Sequence, residues 1–150
     1  YPTNPVRAET VGRTEEIIGT WLKARGGRSR LVLATKVAGK GPVIRPGQPV
    51  TGAIMREALE GSLRRLGTDY VDLYQLHWPN RGSYHFRQQW RYAPTGTDKL
   101  AETAQMTDIL TTAQALITEG KVRAMGLSNE SVWGAARWLH LADTLGLPRM

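Results

Sequence analysis

The sequence predicts an α/β fold in which parallel strands alternate with helices. Three short apolar runs have the length and composition of buried strands, and a segment with helical spacing follows each of them: 31–35, 71–76 and 124–127. Each run leads directly into a polar residue or pair. Reactive groups at the carboxyl ends of parallel strands are typical of a (β/α) barrel active site. The order α-β-α-β-α-β-α predicts three strands and four helices.

The first helix and the first strand occupy the beginning of the chain. Thr14 is expected to cap the helix, and the Gly26-Gly27 pair is expected to end it. The strand is predicted over 31–37. The Gly- and Pro-rich residues 38–50 that follow are expected to form a loop.

The second βα unit is bounded by clear stop signals. Thr51 is expected to cap a helix whose apolar residues recur at helical spacing until Gly67 ends it. A strand is predicted over 70–77, because Pro79 prevents its simple continuation. Residues 80–105 show no period and are expected to form a long loop, which in a compact domain is usually functional.

The last third of the chain repeats the pattern. A third helix is predicted over 107–118, followed by a strand over 122–128. A fourth helix is predicted over 131–145, with Val132 among the residues expected to face the core. Gly146 is expected to end it.

The amino-acid composition excludes several classes of protein and several kinds of site. The 150 residues suffice for one domain, and the absence of cysteine excludes disulfides, thiolate metal sites and a Cys nucleophile. No apolar run approaches a membrane span, and no metal-ligand spacing occurs, so neither a membrane nor a metal is expected. The net charge of +7 comes without a nucleic-acid recognition motif, so no nucleic-acid partner is expected either. A cytoplasmic protein is predicted.

The polar residues at the strand ends have a structural and a functional interpretation. Lys36 either lays its stem on the core and extends its amine to water, or places an ammonium where it lowers the pKa of a neighbouring acid. His77 is either a hydrogen-bonded core residue or a hydrogen-bond donor to substrate. Ser128 and Asn129 either cap the last helix or contact a ligand. Trp78 is either core or an apolar wall for a substrate.

Four segments resemble the aldo-keto reductase family, and most closely a bacterial branch of it. The resemblance covers essentially the whole chain except residues 81–104, and the segments that carry it are RLVLATKV (30–37), REALEGSLRRLGTDYVDLYQLHWPN (56–80), EGKVRAMGLSNES (119–131) and RWLHLADTLGLPRM (137–150). The second segment is the most specific. The resemblance implies a (β/α)8 TIM barrel, of which residues 1–150 form a single partial domain.

The family resemblance also implies a reaction. Its members reduce an aldehyde or ketone to an alcohol by hydride transfer from NADPH. By motif, Tyr1, Lys36 and His77 match the catalytic tyrosine, lysine and histidine. Ser128 and Asn129 match the pair that holds the nicotinamide carboxamide, and Trp78, which follows the matched histidine, is expected to contact a small-molecule carbonyl substrate.

The chain begins at the matched tyrosine and ends as another strand would begin. The resemblance therefore implies an internal fragment, in which the family's catalytic aspartate and its phosphate-binding loops lie outside these 150 residues. Such a fragment alone is expected to be inactive. Two alternatives stand beside the reductase: a cofactor-binding regulatory or scaffold subunit of the same fold, and a small α/β protein with an unrelated role. An oligomer is possible in each case.

Overall fold

A three-stranded parallel sheet lies at the centre of the fold. The computed structural model describes residues 6–85, 87–93 and 98–150. Strand β2 lies in the middle and pairs in parallel with both neighbours. The strands are β1 (Ala34–Val37), β2 (Val71–Leu76) and β3 (Val122–Leu127). Compared with the prediction, β1 begins three residues later, β2 is one residue shorter at each end, and β3 ends one residue earlier.

Four helices connect and flank the strands: α1 (Arg13–Arg25), α2 (Gly52–Leu66), α3 (Lys99–Thr118) and α4 (Val132–Leu145). Two single turns of 3-10 helix lie at Ala8–Thr10 and Arg28–Arg30. The predicted α/β class, with three parallel strands and four helices, is confirmed. Among the residues described, no helix has the length and apolar character needed to cross a membrane.

One face of the sheet packs against the helices and forms the core. Tyr74, Leu76 and Met125 lie on this face and are buried, with Tyr74 fully so. The Tyr74 hydroxyl donates a hydrogen bond to the Met55 carbonyl of α2 at 3.1 Å. Helix α3 contributes Leu110, Ile109 and Leu116 to the same apolar cluster. Apolar burial on this face fixes which side chains must lie on the other.

The opposite face of the sheet is only partly covered by the described residues. The register places Lys36 beside Gln75, and Gln75 beside Gly126, in one row across the three strands. These three residues are half-buried, whereas Ala34 and Ala124 nearer the amino ends of their strands are exposed. The row contains the first of the predicted site residues, so we call this side of the sheet the open face.

The predicted helix starts are partly right. Thr51 caps α2 as expected, with its hydroxyl oxygen accepting a hydrogen bond from the Ile54 amide at 3.2 Å. Thr14 is not a cap, and that prediction was wrong. Helix α1 begins two residues earlier, after Gly12, whose positive φ of 87° is easily adopted by glycine.

Helix α3 is longer than predicted. It begins at Lys99 instead of residue 107, so the expectation of a loop through residue 105 was wrong. The Asp98 carboxylate caps it by accepting hydrogen bonds from the amides of Leu100 and Ala101 at 2.9 and 3.0 Å. The additional turns were missed because their buried residues include a charged one, Glu102, which breaks the apolar period.

Helix α4 begins after Ser131, as predicted. The Ser131 hydroxyl oxygen caps it by accepting a hydrogen bond from the Gly134 amide at 3.1 Å. The prediction that Val132 faces the core was wrong, since that side chain is 89% exposed. Trp138 and Leu141 on the opposite side of the helix are buried instead, together with Gly134 in its first turn.

Candidate functional site

The predicted site residues meet at the carboxyl end of the sheet. The hydrogen-bond ladder continues beyond the strands, where the His77 amide donates to the Val37 carbonyl at 3.1 Å and the Ser128 amide donates to the Leu76 carbonyl at 2.9 Å. His77 and Ser128 follow the open-face positions of β2 and β3 in the two-residue alternation. Tyr1, the predicted catalytic tyrosine, lies outside the described residues.

Lys36 and His77 are close enough to interact electrostatically. Both are half-buried, Lys36 on β1 and His77 directly after β2. Burial lowers the pKa of His77 below its usual value, and the positive charge of Lys36 lowers it further. The imidazole is therefore neutral at pH 7, and a neutral imidazole carries one N–H donor and one acceptor nitrogen.

Asn129 links the loops that follow β2 and β3. Its side-chain amide Nδ2 donates to the His77 carbonyl at 2.8 Å and to Ser128 Oγ at 3.2 Å. The backbone adopts a positive φ of 56°, a conformation that asparagine tolerates better than most residues. Helix α4 is capped by Ser131, so capping of that helix does not explain Ser128 and Asn129.

Trp78 forms a wall beside the histidine. Its ring centroid is 4.4 Å from that of His77, and the two rings are tilted by 45°. Gly39 packs directly against it, since a Cβ at that position would lie 2.8 Å from Trp78 Cδ1. Trp78 also borders a cleft of about 490 Å³ between residues 40–47 and 78–82. Aromatic walls beside polar groups are typical of small-molecule sites.

The two loops that form this cleft are fixed to one another. The Asn80 side chain pairs with the backbone of Val50, accepting from its amide at 2.8 Å and donating to its carbonyl at 2.7 Å. The end of the first loop is therefore anchored to the segment that carries Trp78. The cleft is bordered by anchored backbone on both sides.

Three charged residues beside the site were missed by the sequence analysis. Arg81 forms ion pairs with Glu102 of α3 and with Glu130, which directly follows Asn129. All three side chains are about nine-tenths buried. Their positions along the chain show no periodic relation, and the available signal was only that Glu130 adjoins the Ser-Asn pair. Among the described residues, no cluster of three or more His, Cys, Asp or Glu is placed to hold a metal ion.

Comparison with known proteins identifies the family. The sequence model of the aldo/keto reductase family matches residues 8–146. The chain is 43% identical over 156 aligned residues to the protein tas of Escherichia coli strain K12, covering all of this chain and 43% of that protein. This similarity agrees with the bacterial branch that the motifs indicated.

Further relatives carry the same family name. An aldo-keto reductase of Babesia bovis is 37% identical over 79% of this chain and 44% of its own length. A crystal structure of an aldo/keto reductase from Klebsiella pneumoniae, in complex with NADP and acetate, matches 84% of this chain and 33% of its own with a TM-score of 0.54 and 29% identity. The chain thus spans less than half the length of these relatives. It belongs to the aldo/keto reductase family.

Proposed function

We propose that the protein containing this chain is an NADPH-dependent oxidoreductase that reduces an aldehyde or ketone to an alcohol. The observation that carries the proposal is the convergence of Lys36, His77 and the Ser128–Asn129 pair at one end of one sheet. Membership of the aldo/keto reductase family supports it. The NADP in the Klebsiella pneumoniae structure supports the choice of cofactor class.

The Ser128–Asn129 pair fits a carboxamide group. The Asn129 amide nitrogen is oriented by the His77 carbonyl, which can only accept, and it also donates to Ser128 Oγ. Among the described residues nothing donates to Asn129 Oδ1, and the Ser128 hydroxyl hydrogen has no acceptor. One acceptor and one donor therefore remain on adjacent residues, and a nicotinamide carboxamide presents the complementary N–H and C=O groups. When bound, the nicotinamide supplies the hydride.

Lys36 and His77 would act on the carbonyl oxygen of the substrate. Neutral His77 can donate its N–H to that oxygen and so orient the carbonyl group. Tyr1 would deliver a proton to the same oxygen as negative charge develops on it. The ammonium of Lys36 favours the ionised form of a neighbouring tyrosine, so it would lower the pKa of Tyr1 toward the working pH.

Trp78 and the adjoining cleft would determine which carbonyl compounds bind. The indole ring is held between His77 and Gly39, so its position beside the reacting centre is fixed. The cleft is lined largely by glycine, proline and the indole, which favours an apolar substituent on the substrate. We therefore assign substrate contact to Trp78.

The test is Lys36→Met in the full-length protein. Removal of the ammonium is expected to lower the rate of NADPH-dependent reduction of an aromatic aldehyde by about 10²- to 10⁴-fold. Equilibrium binding of NADPH is expected to change little. Lys23→Met on the exposed surface of α1 is the matched control and is expected to retain activity.

The two measurements also separate the alternatives. Turnover by Lys36→Met close to that of the wild type would refute the proposed role of the lysine. NADPH binding by the wild-type protein without turnover of any aldehyde or ketone would favour the regulatory or scaffold subunit instead. Absence of both binding and turnover would refute the proposed function.

A further inference from the structure

We propose that Arg81, Glu102 and Glu130 form a charge clamp that positions Ser128 and Asn129 for nicotinamide binding. We call these three residues the Arg81 clamp. The inference rests on the proposed function for the identity of the ligand, but the clamp itself is a feature of the fold. Its members are positioning residues, since they act through the Ser-Asn pair.

Arg81 connects three elements at the carboxyl end of the sheet. It follows β2 by five positions, its Nη1 donates to Glu102 Oε1 of α3 at 2.9 Å, and its Nη2 donates to Glu130 Oε1 in the loop between β3 and α4. Nη1 also reaches Glu130 Oε2 at 3.3 Å, so the contact with Glu130 is bidentate. A planar guanidinium fork fixes the orientation as well as the distance of a carboxylate.

Glu130 connects Arg81 to the loop between β3 and α4 and to helix α4 itself. Besides Arg81, its carboxylate accepts from the Ser131 amide at 2.7 Å and from Trp138 Nε1 at 3.2 Å. Arg81 itself donates to the Ser131 hydroxyl at 3.2 Å. Gly134 leaves space for the ion pair, because a Cβ there would overlap both the Glu130 carboxylate and Arg81 Nη2. The loop between β3 and α4 is therefore held both by Arg81 and by helix α4.

The segment held in this way includes Ser128 and Asn129. Asn129 has a positive φ of 56°, a conformation that asparagine adopts more readily than most residues, and contacts on its side chain and its carbonyl hold it there. Its carbonyl accepts from Ser83 Oγ at 3.2 Å, two residues beyond Arg81. The loop after β2 thus contacts the loop after β3 at Asn129 itself and at the following Glu130. Loss of the ion pair would release one of these attachments.

The clamp carries an excess negative charge in a buried place. It contains two carboxylates and one guanidinium, and the three side chains are each 6–9% exposed. Burial acts to lower the pKa of Arg81, but Glu130 and Glu102 outweigh it and raise that pKa, so the cation is permanent. Glu102 Oε2 is buried and accepts no hydrogen bond from the described residues.

A small cavity adjoins both the clamp and the Ser-Asn pair. Its volume is about 20 Å³, room for a single water molecule, and Glu102, Glu130 and Ser128 line it. The clamp and Ser128 therefore border the same cavity. Within the clamp, Glu130 directly follows Asn129 in the chain, so a change in the clamp reaches that pair without an intervening residue.

The test compares Arg81→Lys with Arg56→Lys in the full-length protein. Both substitutions keep the charge and remove a bidentate fork, but the Arg56–Glu119 pair is about one-third exposed and remote from the site. In Arg81→Lys we expect hydrogen exchange over residues 127–133 to become about tenfold faster and the NADP⁺ dissociation constant to rise about tenfold. Arg56→Lys is expected to change neither.

A double substitution distinguishes positioning from general destabilisation. If the clamp acts through Asn129, the NADP⁺ affinity of Arg81→Lys/Asn129→Ala will equal that of Asn129→Ala alone, within about twofold. Additive losses would overturn the proposal. Should Arg81→Lys fail to fold, Glu130→Gln is isosteric and is expected to give the same two changes in smaller degree.

The outcomes separate this inference from the proposed function. Unchanged exchange over 127–133 in Arg81→Lys overturns the clamp whatever the ligand. Faster exchange with unchanged NADP⁺ affinity overturns its link to cofactor binding. A wild-type protein that does not bind NADP⁺ overturns the proposed function, and the exchange measurement still decides whether the clamp holds the loop.

Discussion

Two charge networks built around buried carboxylates lie at opposite ends of the same sheet, and they are built differently. At the amino end, Asp72 of β2 accepts hydrogen bonds from Arg28 at 2.8 Å, the Leu33 amide at 2.9 Å and Arg123 at 2.7 Å. The two arginines also stack on the ring of Tyr70. At the carboxyl end, the Arg81 clamp has two carboxylates for one arginine, and one carboxylate oxygen accepts no hydrogen bond from the described residues.

We infer from this difference that the Asp72 network serves the fold and that the Arg81 clamp serves the proposed site. The Asp72 network is satisfied at both carboxylate oxygens and joins β1, β2 and β3, as a network that stabilises the sheet should. The Arg81 clamp has two carboxylates for one arginine, with no further cation among the described partners of Glu102 and Glu130, and it borders Asn129, whose φ is positive. Departures from ideal geometry concentrate at functional sites. In barrel folds the carboxyl ends of the strands carry the chemistry, which agrees with this division.

The largest expected effect on stability is that of Asp72→Asn. Loss of the carboxylate leaves Arg28 without its charged partner in a position that is 18% exposed. We expect the free energy of unfolding to fall by roughly 2–3 kcal/mol in urea denaturation. Asp143→Asn removes the exposed pair with Arg149 and is the control, with little or no change expected. A loss at Asp72 as small as that of the control would contradict the structural role.

A smaller change in the free energy of unfolding is expected for Glu102→Gln in the Arg81 clamp, at the carboxyl end of the sheet. Glutamine retains an acceptor for Arg81 and removes the surplus charge, while the Arg81–Glu130 pair remains. The free energy of unfolding is expected to change by less than about 1 kcal/mol, because removal of an uncompensated buried charge offsets the lost ion pair. A loss as large as that of Asp72→Asn would mean that the two networks serve the same purpose.

The smallest effect concerns pH. The pKa of His77 is lowered in the folded protein, mainly by burial and then by Lys36, so its contribution to stability is present above pH 6.5 and is lost as pH falls below it. Asp72 also has a lowered carboxyl pKa, because the Leu33 amide and the charges of Arg28 and Arg123 outweigh the effect of burial. Its contribution to stability is present above pH 3.8 and is lost as pH falls below that value. His77→Gln is therefore expected to reduce the loss of stability between pH 7 and 5 in thermal unfolding.

The control for this pH effect is Asp72→Asn, whose stability should depend on pH between 7 and 5 as the wild type does. Asp72 titrates in the lower window, so its removal leaves the upper window unaffected. An unchanged slope in His77→Gln would contradict the assignment of this window to His77.

Local signals in the sequence were sufficient for most of the fold. Thr51, Gly67 and Ser131 determine helix ends through contacts with their immediate neighbours, so their roles can be predicted from the residue types alone. The strand-end residues Lys36 and His77 were predictable for a similar reason, since parallel strands place their carboxyl ends at one edge of the sheet. The structure brings them together as expected.

The features that were missed depend on residues distant in sequence. Glu102 reaches Arg81 across 21 positions and Glu130 across 49, and no periodic pattern connects them. The same buried Glu102 is the reason that the first turns of α3 were not predicted. A charged residue on the inner side of a helix interrupts the apolar pattern by which helices are predicted from sequence. Val132 was expected in the core because it is apolar and follows the Ser131 cap. The buried Trp138 instead determines which side of α4 faces the core.

We propose that the carboxyl end of the sheet performs the chemistry and that the amino end maintains the fold. The most direct test is the steady-state rate of NADPH-dependent aldehyde reduction by full-length Lys36→Met and Asp72→Asn, measured at a temperature where both are folded. The account predicts near wild-type turnover for Asp72→Asn and almost none for Lys36→Met. Equal losses in the two variants, or an active Lys36→Met, would contradict it.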